Sequence, residues 1–182
     1  VEVRLPRQFL RTGIQLIDSP GLGGLTSRHG AVTAALLSQA DAVLFVTDAS
    51  QELTAVEAEF LERAARRCPA TAVAMTKTDI HPSWRDIIEI DRQHVGHIAP
   101  DVVVLPVSST LRELAVVASS QELSVESGFP ALVAWLEEAS ERRREDAEHR
   151  VRDDMVDIIE QLRTALRSEL SALVDEAGAD RL

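Results

Sequence analysis

The chain has 182 residues, a length that suits one domain with at most a small appendage. Hydrophobic residues make up 45% and aromatic residues only 3%, so Leu, Val, Ile and Ala must build the core. The formal net charge of −11 argues against nucleic acid as a partner and against a general attraction to anionic lipid, because both require basic surface.

Two strands are predicted at the start of the chain. Val1–Leu5 alternates apolar and charged residues, and Ile14–Asp18 follows a glycine-containing turn, so together they predict a hairpin. A helix is predicted over His29–Gln39 from its apolar spacing. Ala42–Val46 is a continuous apolar run, which is typical of a strand buried on both faces.

A second helix is predicted to begin at Thr54, because Glu57 follows three residues later in a capping-box pattern. Its helical spacing gives one apolar stripe. That stripe consists of Val56, Phe60, Leu61 and Ala64.

Strands and helices continue to alternate, with Ala70–Met75 and Val102–Val107 as strands and Ser83–His97 as the helix between them. Such alternation predicts an α/β fold with a mainly parallel sheet and helices on both faces. Ligands bind at the carboxyl ends of the strands in sheets of this kind. The loops expected at that edge follow Asp18, Met75 and Val107.

The sequence of the last part of the chain predicts only helical structure. Ala131–Glu145 has helical spacing, and beyond it apolar residues recur at steps of three and four from Val151 to Val174 on an otherwise charged helix. This stripe requires a partner helix, so a coiled coil or bundle is expected. We therefore predict two parts, a domain over 1–138 and the start of a helical stalk over 139–182.

The first motif that carries chemistry is Asp18-Ser19-Pro20-Gly21. A carboxylate at the end of a strand, here Asp18, can hold Mg²⁺ through a bound water. Gly21 would let a backbone N–H approach a γ-phosphate, since no Cβ stands in the way. Alternatively, the four residues are simply a good turn.

The second motif is Thr76-Lys77-Thr78-Asp79, directly after a strand. Asp79 can accept hydrogen bonds from N1 and N2 of guanine, which adenine cannot donate. Lys77 would lay its aliphatic stem along the base and ribose, and the Thr76 hydroxyl would tie neighbouring loops together. The alternative is a polar loop without a ligand.

The third motif is Ser108-Ser109, where a backbone N–H near either residue can bond the guanine O6. This motif is short and weak by itself. The order of the three motifs, each closing a predicted strand, indicates a site for GTP or GDP with Mg²⁺ in a P-loop-GTPase-type domain.

The glycine-rich phosphate loop that should precede these motifs, ending in Gly-Lys-Ser/Thr, does not occur in the sequence. Lys77 is the only lysine. In the P-loop GTPases that these motifs resemble, the strand with this loop lies between the strands assigned here to Ile14–Asp18 and Ala42–Val46. Without it, those two strands would face each other with unpaired backbone groups. We therefore expect the 182 residues alone to fold poorly and to have no GTPase activity, and no catalytic residue is assigned.

The chain resembles the translation-factor-related large GTPases, most closely bacterial dynamin-like proteins of actinobacterial type, as a portion without the P-loop and first switch. Leu22 stands where Ras-like proteins carry a water-orienting glutamine. The resemblance implies GTP binding and hydrolysis coupled to self-association and membrane remodelling. It is carried by Val3, Pro6 and Leu10, by Leu16–Gly24, by Ala40–Val43 and by Ser127-Gly128-Phe129.

Cys68, the single cysteine, has no partner for an internal disulfide, and no apolar run approaches the roughly 18 residues that span a bilayer. A cytoplasmic location is expected, with the resemblance adding a peripheral place on the inner face of the membrane.

Two alternatives remain open at this point. One is a catalytically inactive, GTPase-derived interaction module that acts through its helical tail. The other is a GTPase of the ribosome-assembly type, which would carry an RNA-binding domain after residue 138, where an acidic amphipathic helix follows instead.

Overall fold

The structure, a computed structural model, describes residues 9–19, 37, 39–68 and 70–179. The chain divides into two compact units, Val1–Ser140 and Glu141–Leu182. Within the described residues of the first unit, three parallel strands form one sheet in the order β1-β2-β3. They are β1 (Val43–Asp48), β2 (Thr71–Thr76) and β3 (Val103–Pro106).

Five α-helices are described, together with a short 3₁₀ turn at Phe9–Thr12. The helices are α1 (Ala55–Arg67), α2 (Trp84–Ile98), α3 (Ser109–Ala118), α4 (Gln121–Glu126) and α5 (Phe129–Ala179). Because α1 and α2 connect β1 to β2 and β2 to β3, the carboxyl ends of the strands all lie at one edge of the sheet.

The central strand β2 is buried on both faces, which explains its continuous apolar sequence. On one face, Val73 and Met75 belong to a core cluster with α1 and α2, in which Phe45 and Phe60 lie with ring centroids 5.9 Å apart. On the other face, Ala74 packs in a cluster with Leu132 of α5. The predicted arrangement of a parallel sheet with helices on both faces is therefore confirmed.

The capping box that opens α1 is also confirmed. The amide of Glu57 donates to the Thr54 hydroxyl, and the amide of Thr54 donates to the Glu57 carboxylate at 2.8 Å. Phe60, Leu61 and Ala64 are buried as predicted. The prediction for Val56 was wrong: its side chain is 53% exposed, so the buried stripe of α1 is narrower than the sequence indicates.

Ile14–Asp18 was wrongly predicted to be a strand. Residues 13–19 have no regular structure, and the side chains of Leu16 and Ile17 are 66% and 68% exposed. Apolar residues alone do not make a strand, because a strand needs a neighbour to complete its hydrogen-bond ladder. The strand predicted at Val1–Leu5 lies outside the described residues, as does most of the helix predicted at His29–Gln39.

The final helix begins earlier and is longer than predicted. It starts at Phe129 rather than Ala131 and continues without a break to Ala179. Apolar side chains in the part belonging to the second unit are exposed, as the unpartnered stripe predicts. They include Val151, Met155, Ile158, Ile159 and Leu162. Among the described residues, no helix combines the length and the apolar character needed to cross a membrane.

Candidate functional site

The ends of β1 and β2 are tied together at the edge where a ligand is expected. The Thr76 hydroxyl donates to the carbonyl of Thr47 at 2.7 Å, and the Ala49 amide donates to the carbonyl of Thr76 at 3.0 Å. The threonine hydroxyl therefore joins neighbouring segments, as its position in the motif predicts, and it fixes where the following loop begins.

Lys77 leaves the sheet in an unusual backbone conformation. Its φ angle is 59°, in the left-handed region that costs a side chain other than glycine free energy. The turn that follows is closed by hydrogen bonds from the amides of Ile80 and His81 to the carbonyl of Lys77. Strain of this kind persists only where surrounding contacts hold it, and it is common at ligand sites.

The Lys77 ammonium bonds to Asp48 at the end of β1. The distance from Nζ to Oδ2 is 2.9 Å. The other carboxylate oxygen accepts the amide of Ser50 at 3.0 Å and also the Ser50 hydroxyl. The hydrogen bond from Lys77 first, and then those from Ser50, hold the pKa of Asp48 well below its usual range. Asp48 is therefore a fixed negative charge at this edge.

Asp79 is oriented by a residue from the next strand loop. The Ser108 hydroxyl donates to Oδ1 of Asp79 at 2.6 Å, and this hydrogen bond is the largest cause of the lowered pKa of Asp79. Ser108 is fully buried, and its oxygen also accepts the amide of Leu111 at 3.0 Å, which caps the start of α3. The structure therefore brings the second and third motifs into direct contact.

The two serines of the third motif have different roles. The Ser108 amide donates to the carbonyl of Ser127 at 2.9 Å, so it is occupied within the protein. Ser109 is exposed and is the first residue of α3, where backbone N–H groups have no partner within the helix. Of the two amides considered from the sequence, that of Ser109 is the one suited to meet a ligand.

Gly128 allows a close backbone contact next to the Ser108 loop. Its φ angle is +72°, and a Cβ placed there would lie 1.9 Å from the carbonyl oxygen of Pro106. Only glycine fits such a contact. The close approach of the 127–128 turn to the end of β3 allows the Ser127 carbonyl to accept from Ser108.

The residues predicted for phosphate and metal are not part of this described cluster. Asp18 is exposed in the irregular segment 13–19, and Gly21 lies outside the described residues. Within the described ranges, no group of three or more His, Cys, Asp or Glu side chains could hold a metal ion. A GTPase site needs less from the protein, because phosphate oxygens and waters complete the magnesium shell. A single carboxylate such as Asp18 therefore fits the chemistry.

A polar depression opens beside the Lys77–Asp48 pair. It combines hydroxyl and amide groups with two carboxylates and one ammonium. Its lining is Val46, Thr47, Asp48, Ser50, Gln51, Glu57, Thr76 and Lys77. Asp48, Ser50 and Gln51 were not singled out from the sequence. Asp48 is the last residue of β1 at the predicted edge, and that position is the signal that could have found it. The prediction that this strand is buried on both faces was wrong, since Val46 is 59% exposed.

The chain is similar to known proteins of the dynamin type. The model of the Dynamin family matches residues 1–75, and that match ends before the Thr76–Asp79 motif. The isoniazid-induced protein IniA of Mycobacterium tuberculosis is 42% identical over 183 residues, covering 100% of this chain and 29% of IniA. Dynamin-like protein 1 of Campylobacter jejuni is 29% identical over 92 residues, which cover 50% of this chain and 12% of that protein.

A solved structure shows the same fold. It comes from an oligomerised bacterial dynamin pair described in connection with the long-range sensing and tethering of membranes, and it matches with a TM-score of 0.58 and 19% identity. The match covers 93% of this chain and 28% of that one. The chain is therefore similar to dynamin-like proteins. It spans less than a third of the length of IniA and of the matched structure.

Proposed function

We propose that the full-length protein, meaning the product of the natural reading frame that contains this sequence, binds and hydrolyses GTP. The edge formed by Lys77, Asp79, Ser108 and Ser109 would recognise the guanine base. The observation that carries this proposal is the 2.6 Å hydrogen bond from Ser108 to Asp79. It joins two loops 29 residues apart and leaves an oriented, ionised carboxylate at the ligand edge of a parallel sheet.

The chemistry of these groups matches guanine. Asp79 is an acceptor with a lowered pKa, and guanine presents two donors, N1–H and N2–H, in a row. The Ser109 amide would donate to O6. Adenine has an acceptor at N1 and an amino group on C6. It would therefore place an acceptor against the Asp79 carboxylate and a donor against the Ser109 amide, and a site strongly rejects a ligand with such mismatches.

The phosphate side of the site is assigned from the sequence. Asp18 would hold Mg²⁺ through a water, and the Gly21 amide would approach the γ-phosphate. When bound, Mg²⁺ neutralises charge that develops on the phosphate oxygens. Lys77 is the only lysine of these residues and is assigned to the proposed base site, so a phosphate-binding lysine is not among them. Turnover is therefore expected of the full-length protein and not of the 182 residues alone.

Self-association and a membrane partner are proposed for the full-length protein as well. The exposed apolar side chains of α5 support association with another helix. The structural neighbour is described as oligomerised and as tethering membranes. We place the protein in the cytoplasm, peripheral to the inner face of the membrane. The proposed division into a partial GTPase domain over 1–138 and a stalk over 139–182 follows the sequence pattern.

Nucleotide binding tests the proposal. Isothermal titration of the full-length protein should give a preference for GDP over ADP of at least about a thousandfold. Asp79→Ala should weaken GDP binding at least about a hundredfold, because two hydrogen bonds to a charged group are lost. Asp101→Ala is the control, since Asp101 is exposed and precedes β3 at the opposite edge.

Three results would separate the alternatives. Equal affinity for GDP and ADP would contradict the proposed base site. Guanine-specific binding by the full-length protein without GTP turnover would favour the inactive interaction module. Turnover by the 182 residues alone, above that of a Lys77→Ala/Asp79→Ala double variant, would contradict the expectation that hydrolysis also needs phosphate-binding groups outside these residues.

A further inference from the structure

The Lys77–Asp48 pair has a feature that the base-recognition motif does not explain. Lys77 is the motif residue whose stem should lie along the base, yet its charged end is bonded to a residue of another strand. The pair also lines the depression beside the site. Its partner Asp48 is outside all three motifs.

The backbone on both sides of this pair is fixed. Lys77 is held in its left-handed conformation, with φ of 59°, by a turn whose amides at Ile80 and His81 donate to its carbonyl. The end of β1 is held by the bond from the Ala49 amide to Thr76, and the Asp48 carboxylate by the amide of Ser50. With both ends anchored, the ion pair determines the direction of a long side chain that has four rotatable bonds.

The pair contributes little to folding. The Lys77 and Asp48 side chains are 54% and 32% exposed, and ion pairs at such exposure add little to stability. Its effect is therefore expected in the site rather than in the fold. A side chain that is already ordered loses less conformational freedom when a ligand packs on it.

We propose that Asp48 is a positioning residue of the nucleotide site, which holds the Lys77 side chain in the place where its stem forms one wall of the base pocket. This inference rests on the proposed guanine site. Since Lys77 would contact the base and ribose, Asp48 should affect GDP and GTP by the same factor.

The test uses the full-length protein and fluorescent GDP and GTP. Asp48→Asn removes the charge but keeps an oxygen for the Ser50 amide, so the loop itself is preserved. GDP and GTP affinities should both fall by about threefold to tenfold, the range expected for ordering one long side chain. Glu62→Gln is the matched control, because it removes an exposed ion pair with Arg66 on α1 and should leave both affinities unchanged.

A double-mutant cycle separates positioning from a structural role. In a Lys77→Ala background, Asp48→Asn should have no further effect on affinity, because the residue through which it acts is gone. An equal loss in both backgrounds would overturn the proposal. Tighter binding by Asp48→Asn, increasing from GDP to GTP, would also overturn it, since Asp48 would then act by repelling phosphate. If the wild-type protein bound neither nucleotide, the proposed guanine site would fail, and not the role of Asp48 alone.

Discussion

The hydroxyl of Ser108 donates to Asp79 at 2.6 Å while the same oxygen accepts the amide of Leu111 at 3.0 Å. One buried side chain therefore starts α3 and orients the carboxylate that follows β2. Helix geometry and site geometry are coupled at this point, because the cap that fixes the helix also fixes the proposed base receptor.

Replacing Ser108 by alanine should affect both the helix and the site. Ser108→Ala is expected to destabilise α3 by about 1–2 kcal/mol, since it removes a cap and leaves a hydrogen bond to Asp79 unmade. Amide hydrogen exchange across residues 109–118 would measure the local change, and GDP binding should weaken in parallel.

Ser120→Ala is the matched control for this change. Ser120 caps α4 through the amide of Leu123 at 3.2 Å, and within the described part of the chain it forms no hydrogen bond with Asp79. Ser120→Ala should lower the local stability of α4 by about 1 kcal/mol and leave GDP affinity unchanged. An equal effect of the two alanine variants on GDP affinity would contradict the coupling between the α3 cap and Asp79.

Gly128→Ala should be strongly destabilising. The new Cβ would lie 1.9 Å from the carbonyl oxygen of Pro106, and its φ of +72° is unfavourable for alanine. We expect a loss of at least about 2 kcal/mol, measured as a lower midpoint of thermal unfolding. Gly96→Ala is the comparison, because Gly96 lies inside α2 with open space around it and should gain about 0.5–1 kcal/mol. A neutral Gly128→Ala variant would show that the turn can move away.

Asp91 should make stability depend on pH. Its side chain is fully buried on α2, with Oδ1 accepting the Leu53 amide at 2.9 Å and Oδ2 lacking a hydrogen-bond partner among the described residues. Burial raises its pKa above the usual 3.8, since charging a desolvated carboxyl is unfavourable. The native state therefore binds this proton more tightly than the unfolded state does. The contribution of Asp91 to stability is fully present below pH 3.8 and is lost as the pH rises through the raised pKa of the native state.

Asp91→Asn removes this titration and keeps an oxygen for the Leu53 amide. The variant should have nearly the wild-type Tm at low pH and a higher Tm at neutral pH, with the difference increasing as pH rises above 3.8. Glu89→Gln, an exposed change on the same helix, should show no such trend. A Tm difference that did not change with pH would contradict an effect through burial of the charge.

The sequence predicts individual helices and strands better than it predicts which elements pair with one another. The capping box at Thr54 and Glu57 and the buried strand β2 follow from spacing within a few residues, and both are found. The prediction of a strand at Ile14–Asp18 was wrong, because a strand needs a neighbouring strand to pair with and a local sequence pattern does not supply one. Helices α3 and α4 were missed, since they are short and their caps, Ser108 and Ser120, are ordinary serines in the sequence.

The candidate site could be predicted only in part. Thr76, Lys77, Asp79 and the two serines were selected because their motifs follow strands that end at one edge, and the hydrogen bond from Ser108 to Asp79 brings two of these loops together. The pairing of Lys77 with Asp48 was missed, because the residues are 29 positions apart and meet only through the parallel register and the left-handed conformation of Lys77.

The central claim is that Asp79 recognises the guanine edge, and a change of base specificity tests it most directly. Xanthine has a carbonyl at C2 where guanine has an amino group, so a carboxylate repels it and an amide can donate to it. With the full-length protein, Asp79→Asn should weaken GDP binding and strengthen binding of xanthosine diphosphate relative to wild type. If the variant lost GDP affinity without gaining affinity for xanthosine diphosphate, or kept the wild-type preference, Asp79 would not be the base receptor.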